Sequence, residues 1–146
     1  MADSVTNVLI EAINDEYKAR ATYRKVISEF GEIRPFINIV DAESRHIEAL
    51  LTLFEKYNVV VPEDCWESHI QTPHSILEAC QAGIEAEIEN AEMYNRLLKL
   101  SDDYPDIQQV LKQLQRASKE NHLPAFQRCA EREGGQGHRR RHGCNP

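Results

Sequence analysis

No stretch of this 146-residue sequence approaches the roughly 18 consecutive apolar residues that a membrane-spanning helix needs, so a transmembrane reading fails. The start, Met1-Ala2-Asp3-Ser4, lacks a basic segment followed by an apolar one, and no signal peptide is expected there. Six glycines and six prolines, most of them at candidate breaks, exclude collagen-like and low-complexity chains. The four cysteines, Cys65, Cys80, Cys129 and Cys144, form no CxxC pair, which argues against a zinc knuckle. A chain this long builds a core without a disulfide framework, so reduced thiols and a cytoplasmic location are expected. Positive charge is also scarce. The net charge is −7, and the C-terminal segment 134–146 holds three arginines and no acid, leaving the rest of the chain near −10. That argues against nucleic acid as a partner and suits a protein that handles cations.

What the sequence does have is helical periodicity. Val5, Leu9, Ala12, Ala19, Tyr23, Val26 and Phe30 form one stripe between Ser4 and Phe30, and Gly31 supplies a stop. Pro35 is suited to open a second helix, whose stripe is Phe36, Ile39, Leu50, Leu53 and Tyr57. The segment 58–73, with Val59-Val60-Val61, Pro62 and Pro73, has no helical period. A third helix is predicted from about Thr72-Pro73, with Cys80, Ile84, Ala91, Tyr94 and Leu98 as its stripe. After the turn Ser101–Tyr104, a fourth is predicted from about Pro105 to Arg132 through Ile107, Val110, Leu114, Ala117 and Ala125, ended by Gly134-Gly135.

Four amphipathic helices and no strand segment predict an all-α four-helix bundle over 1–133, followed by a flexible Gly/His/Arg tail over 134–146. A helix of about 25 residues is roughly 38 Å long. The linker 58–73 can reach roughly 50 Å when extended, enough to cross the bundle lengthwise and leave the second and third helices parallel.

Each stripe is interrupted by a polar residue. Glu16 falls between Ala12 and Ala19, Glu43 and His46 interrupt the second stripe, and Glu87 falls between Ile84 and Ala91. Ser118, Asn121 and His122 lie near the fourth. A buried, unpaired carboxylate is costly, so three of them sharing a core with histidines call for a cation or a dense hydrogen-bond network. Glu43 and His46, three residues apart, share a helix face, a spacing suited to metal binding. The candidate ligands are therefore Glu16, Glu43, His46, Glu87 and His122. Glu85, Glu89 and Glu92 are set aside as lying off the stripe. Glu120 lies opposite the core in a regular helix, but Pro124 can bulge this helix beside His122 and rotate Glu120 or His122. His69 and His74 are expected at the surface. Cys80 and Cys129 are expected to pack as small apolar groups.

These residues resemble the ferritin-like superfamily, and within it the rubrerythrin-like diiron carboxylate proteins. Glu16, Ala19, Arg20 and Tyr23 are similar to the E-x-x-A-R-x-x-Y run of their first helix, Glu43 and His46 to the E-x-x-H of their second, and Glu92-Met93-Tyr94 to a run late in their third. The resemblance covers about 4–132. It implies a ferritin-like bundle with a long crossover between helices 2 and 3. It also implies a dimetal site with Tyr94 beside it. It departs on the fourth helix, where the family carries a second E-x-x-H. Here Lys119 stands three residues before His122 and Ser118 four before it. That leaves Glu16, Glu43 and His46 as one ligand set and Glu87 with His122 as a thinner one. These 146 residues contain no paired CxxC motif of the rubredoxin type, so any redox cycle is expected to need an external electron donor.

The expected cofactor is Fe, as two ions or one, with Mn or Zn compatible with the same ligands. The expected reaction is oxidation of Fe(II), or reduction of peroxide or O2, with Tyr23 and Tyr94 as candidate catalytic residues that supply a hydrogen bond or an electron. The expected partners are metal ions, O2 or peroxide, an external electron donor and a second copy in a homodimer, with neither nucleic acid nor membrane. The alternative is a non-catalytic helical module for metal storage, sensing or interaction.

Overall fold

The structure, a computed structural model, describes residues 2–143, with side chains over 4–134. Among these residues it is an all-α bundle without strands. Helix α1 spans Ala2–Phe30, α2 Phe36–Lys56 and α3 Ile76–Leu100. The fourth rod is α4, Pro105–Ala117, followed by a π turn over Ser118–His122 and then α5, Leu123–Gly143. Gly31, with φ of +93°, closes α1 in the left-handed conformation that glycine adopts at little cost. Among the described residues no helix is long and apolar enough to cross a membrane.

Side-chain contacts fix the topology. Glu11 of α1 meets Arg96 of α3, Glu16 meets Asn90 and Tyr23 meets Glu87, so α1 and α3 run antiparallel. His46 of α2 lies beside Glu16, and the Phe36 ring beside Tyr23, so α1 and α2 are also antiparallel. Helices α2 and α3 are therefore parallel, and segment 57–75 crosses the length of the bundle between them. It is held at one end by the Tyr57 hydroxyl, which donates to Asp106 at 2.8 Å. Further along, the Arg20 guanidinium pairs with Asp64 at 3.2 Å, and Lys18 lies over the Trp66 ring.

Two element boundaries differ from the sequence reading. Helix α3 begins at Ile76 rather than near Thr72-Pro73, because the Ser75 hydroxyl accepts from the Glu78 N–H and caps it. Helix α5 runs through Gly134-Gly135 to Gly143, where a stop was expected. The buried face of α3 is centred on Cys80, Gly83, Glu87, Asn90, Tyr94 and Leu97, leaving Ile84, Ala91 and Leu98 half-buried at its flank. The fourth rod buries Ile107, Leu111, Leu114 and Ser118, then His122, Phe126 and Cys129. A regular helix would have turned positions 121, 125 and 128 inward after 118. The π turn inserts one residue and advances the inner face by one, so Ala125 moves to the flank and Phe126 to the core.

Two apolar clusters stack along the bundle. One gathers Leu9, Ile13, Leu50, Phe54, Leu97 and Leu111 with their neighbours, and the other Tyr23, Phe36, Cys80, Phe126 and Cys129. In the second, Gly83 lets α3 approach α5 closely, since a Cβ at that position would come within 2.7 Å of the Phe126 ring. Cys80 and Cys129, expected as separate thiols, are joined in a disulfide with 5.8 Å between their Cα atoms. Both lie on the inner faces of the antiparallel pair α3 and α5 at one level, a juxtaposition that 49 residues of separation conceal in the sequence. Cys65 is exposed and free, and Cys144 lies outside the described residues.

Two stability outcomes follow. Gly83→Ala drives a methyl into a ring already wedged between Tyr23 and Phe36, and should destabilise the fold by about 1–3 kcal/mol in chemical denaturation. A Cys80→Ala/Cys129→Ala double variant should lose about 4 kcal/mol, because the wild-type crosslink restricts a long loop in the unfolded chain. Thermal melts would read this as a reductant-sensitive melting temperature in the wild type and a reductant-insensitive one in the variant.

Candidate metal centre

Between the two apolar clusters lies a single polar layer. Glu16 of α1, Glu43 of α2, Glu87 of α3 and His122 of the π turn are each at most 4% exposed, and His46 of α2 borders them. All five candidate ligands are brought to this layer. The His46 Nδ1 lies 3.2 Å from a Glu16 oxygen and 3.5 Å from a Glu43 oxygen. The His122 Nδ1 lies 3.3 Å from the same Glu43 oxygen and 3.3 Å from a Glu87 oxygen. The two imidazoles stack, with centroids 5.5 Å apart and planes 18° apart. Glu43 thus sits at the centre, between a Glu16–His46 half and a Glu87–His122 half.

The two tyrosines support these halves crosswise. Tyr23 stands two turns after Glu16 on α1 but donates its hydroxyl proton to Glu87 of α3 at 2.6 Å. Tyr94 stands two turns after Glu87 on α3 but donates to Glu16 of α1 at 2.7 Å. Each antiparallel helix therefore carries one carboxylate and the phenol that fixes the other. Burial first, and then the adjacent carboxylate, pushes both phenols well above their usual range, so they remain neutral donors.

Electrostatics in this layer are unbalanced. Burial raises the Glu43 carboxyl well above the usual range, and the charges of Glu16 and Glu87 raise it further. For Glu16, burial acts in the same direction but is outweighed by hydrogen bonds and charge from His46, with Glu43 and Tyr94 adding further hydrogen bonds. Its carboxyl is held below its usual value. Asp15, beside the layer, is pushed up to about 6 by burial, against the opposing hydrogen bond from Asn90. Among the described residues, no lysine or arginine pairs with Glu16, Glu43 or Glu87.

Glu43, His46 and His122 each offer one ligand atom, and those three atoms lie within 4.8 Å of one another, a group able to hold a metal ion. Carboxylate oxygen and imidazole nitrogen suit iron, manganese or zinc. The donor set, the missing counter-charge and the burial of the carboxylates all fit a bound cation.

The fourth helix resolves the question left open at Glu120. The bulge beside Pro124 exists, and it turns His122 inward, yet Glu120 is exposed and faces Arg116 at 3.8 Å. Lys119 is exposed as well. The buried position ahead of His122 belongs to Ser118, whose hydroxyl donates to Asn90 Oδ1 at 2.5 Å, while the Asn90 amide reaches Asp15 and Glu16. A polar Ser118–Asn90–Asp15 chain thus fills the buried position one turn before His122 on the fourth rod. The sequence reading missed Asn90 and Asp15, although Asn90 follows Glu87 by three residues and precedes Tyr94 by four, and so shares their face. Glu85, Glu89 and Glu92 are exposed, as are His69 and His74.

The chain belongs to the DUF2202 family, an uncharacterized protein domain that it matches over residues 6–141. No curated protein and no solved structure gives a significant match.

Glu43→Gln keeps the shape of the central side chain and removes its ability to ionise. In chelator-treated protein, where Glu43 has only like charges and imidazoles around it, the melting temperature should hold or rise. The increase in melting temperature caused by adding a divalent cation should disappear in this variant.

Proposed function

We propose that this chain is a ferritin-like, rubrerythrin-type metalloprotein that binds iron between Glu16, Glu43, His46, Glu87 and His122, and uses it to oxidise Fe(II) at the expense of peroxide or O2. The observation that carries this reading is the buried layer itself. Three carboxylates and two stacked imidazoles meet there and, among the described residues, no lysine or arginine balances them. Burying such a set is costly unless a cation completes it.

Glu43 lies within reach of both imidazoles; Glu16, Glu43 and His46 would hold one ion, and Glu43, Glu87 and His122 would hold a second. Iron at such a site supplies one-electron redox chemistry. With peroxide the balance is two electrons from two Fe(II) and two protons, which break the O–O bond and leave two waters. The chain's own contribution is orientation. Tyr23 and Tyr94 hold one oxygen each of Glu87 and Glu16, leaving the other oxygen of each facing the imidazoles. The stacked apolar clusters exclude bulk water from both sides. A storage or sensing role without turnover is favoured by one observation, the Ser118–Asn90 pair in place of a sixth ligand, which leaves the Glu87–His122 half thinner.

Metal analysis of protein purified without chelator tests the ligand set. Glu43→Ala and His122→Ala should lose most of the bound metal, while Glu92→Ala, Glu120→Ala and Lys119→Glu, all at exposed positions, should retain it. Fe(II)-dependent consumption of peroxide by the wild type, lost in Glu43→Ala, separates turnover from storage. Equal metal retention in Glu43→Ala and Glu92→Ala would contradict the site.

A further inference from the structure

Helix α2 packs on α1 and α4, and α5 packs on α3. The gap left between α2 and α5 is a cavity of about 530 Å³, and its lining is unlike the rest of this acidic chain. Four arginines line it, Arg34 before α2, Arg45 on α2, and Arg128 and Arg132 one turn apart on α5. No aspartate or glutamate is among the lining residues.

Of the four arginines outside the cavity whose side chains are described, three face a carboxylate and Arg24 is exposed without one. Arg20 pairs with Asp64, Arg96 with Glu11 and Arg116 with Glu120. Among the described residues none of the four cavity arginines has a carboxylate partner. The one hydrogen bond recorded between them runs from the Arg132 guanidinium to the Arg34 carbonyl at 3.5 Å and adds no negative charge. Four like charges around one concavity repel one another, a cost that a bound anion removes. The buried His122 is among the lining residues, so the cavity reaches the edge of the candidate metal layer. A basic mouth repels free divalent cations and attracts anions, so this opening is suited to an anionic ligand rather than to metal entry.

We propose that this cavity binds a small phosphate-bearing anion. Planar guanidinium forks match the oxygens of a phosphate in paired hydrogen bonds, and four of them suit a multiply charged group. The volume falls in the range of small-molecule sites and leaves room for more than a bare ion. A nucleic-acid backbone is disfavoured, because the chain carries a net charge of −7 and these four arginines face a single concavity and form no extended basic track. The site stands on its arginines and does not depend on the proposed iron chemistry.

Calorimetric titration of the full chain with inorganic phosphate, pyrophosphate and adenosine monophosphate tests it, each run in chelator-treated and in metal-loaded protein. At least one of the three should bind in both preparations. Arg45→Glu and Arg128→Glu should each weaken that binding roughly tenfold or more. Arg96→Glu, outside the cavity, should leave it unchanged, and metal content should be the same in all three variants and the wild type. Arg128→Gln, which removes the charge without reversing it, should give an intermediate loss in a protein with wild-type helicity. Binding that survives Arg45→Glu and Arg128→Glu overturns the proposal, as does binding seen only in metal-loaded protein, where the anion would be a ligand of the metal itself. Equal affinity for citrate overturns the assignment to phosphate. Binding of single-stranded DNA without binding of any small phosphate would overturn the assignment to a small molecule.

Discussion

Glu16, Glu43 and Glu87 meet in one layer of the bundle, buried between two apolar clusters, and among the described residues no lysine or arginine pairs with them. This is the constraint around which the rest of the structure is arranged. Apolar packing above and below removes water, which strengthens every charge interaction within the layer. The phenols of Tyr23 and Tyr94 each occupy one carboxylate oxygen, crossing from one helix to the other. That crossing requires α1 and α3 to run antiparallel with Tyr94 beside Glu16 and Tyr23 beside Glu87, and so ties the register of the bundle to the chemistry of its centre.

The π turn belongs to the same constraint. It shifts the inner face of the fourth rod by one residue, bringing His122 beside Glu43 and Glu87 and Phe126 beneath Tyr23. Gly83 and the Cys80–Cys129 crosslink then hold α5 against α3 on the far side of the layer. On the side facing α2 the same rod stands away, and the arginine-lined cavity opens there onto His122. One inserted residue thus bears on both the ligand set and the access to it.

The helices and the level of the site were legible in the sequence because helical periodicity is strong where apolar residues recur, and an acid within such a stripe stands out. Glu16, Glu43 and Glu87 were found in this way, each near the middle of a long helix. The fourth rod was harder to read. Its periodicity changes phase at Ser118, so a regular 3.6-residue template selects Ala125 in place of Phe126. Asn90 was overlooked because a neutral amide gives no sign of burial until its partners, Asp15 and Ser118, are placed around it. The disulfide and the arginine cavity each join residues far apart in the chain, and their constituents show no local spacing that marks them. The cap at Ser75 lies only three residues from the predicted start, within the range over which proline and hydroxyl residues compete to begin a helix.

The most direct measurement is anomalous X-ray scattering at the iron edge from crystals of the full chain grown with Fe(II) under anaerobic conditions. The account predicts an anomalous peak bounded by Glu43, His46 and His122, with a second, weaker peak toward Glu87. A layer without an anomalous peak, or iron bound only at surface acids such as Glu85, Glu89 and Glu92, would contradict it.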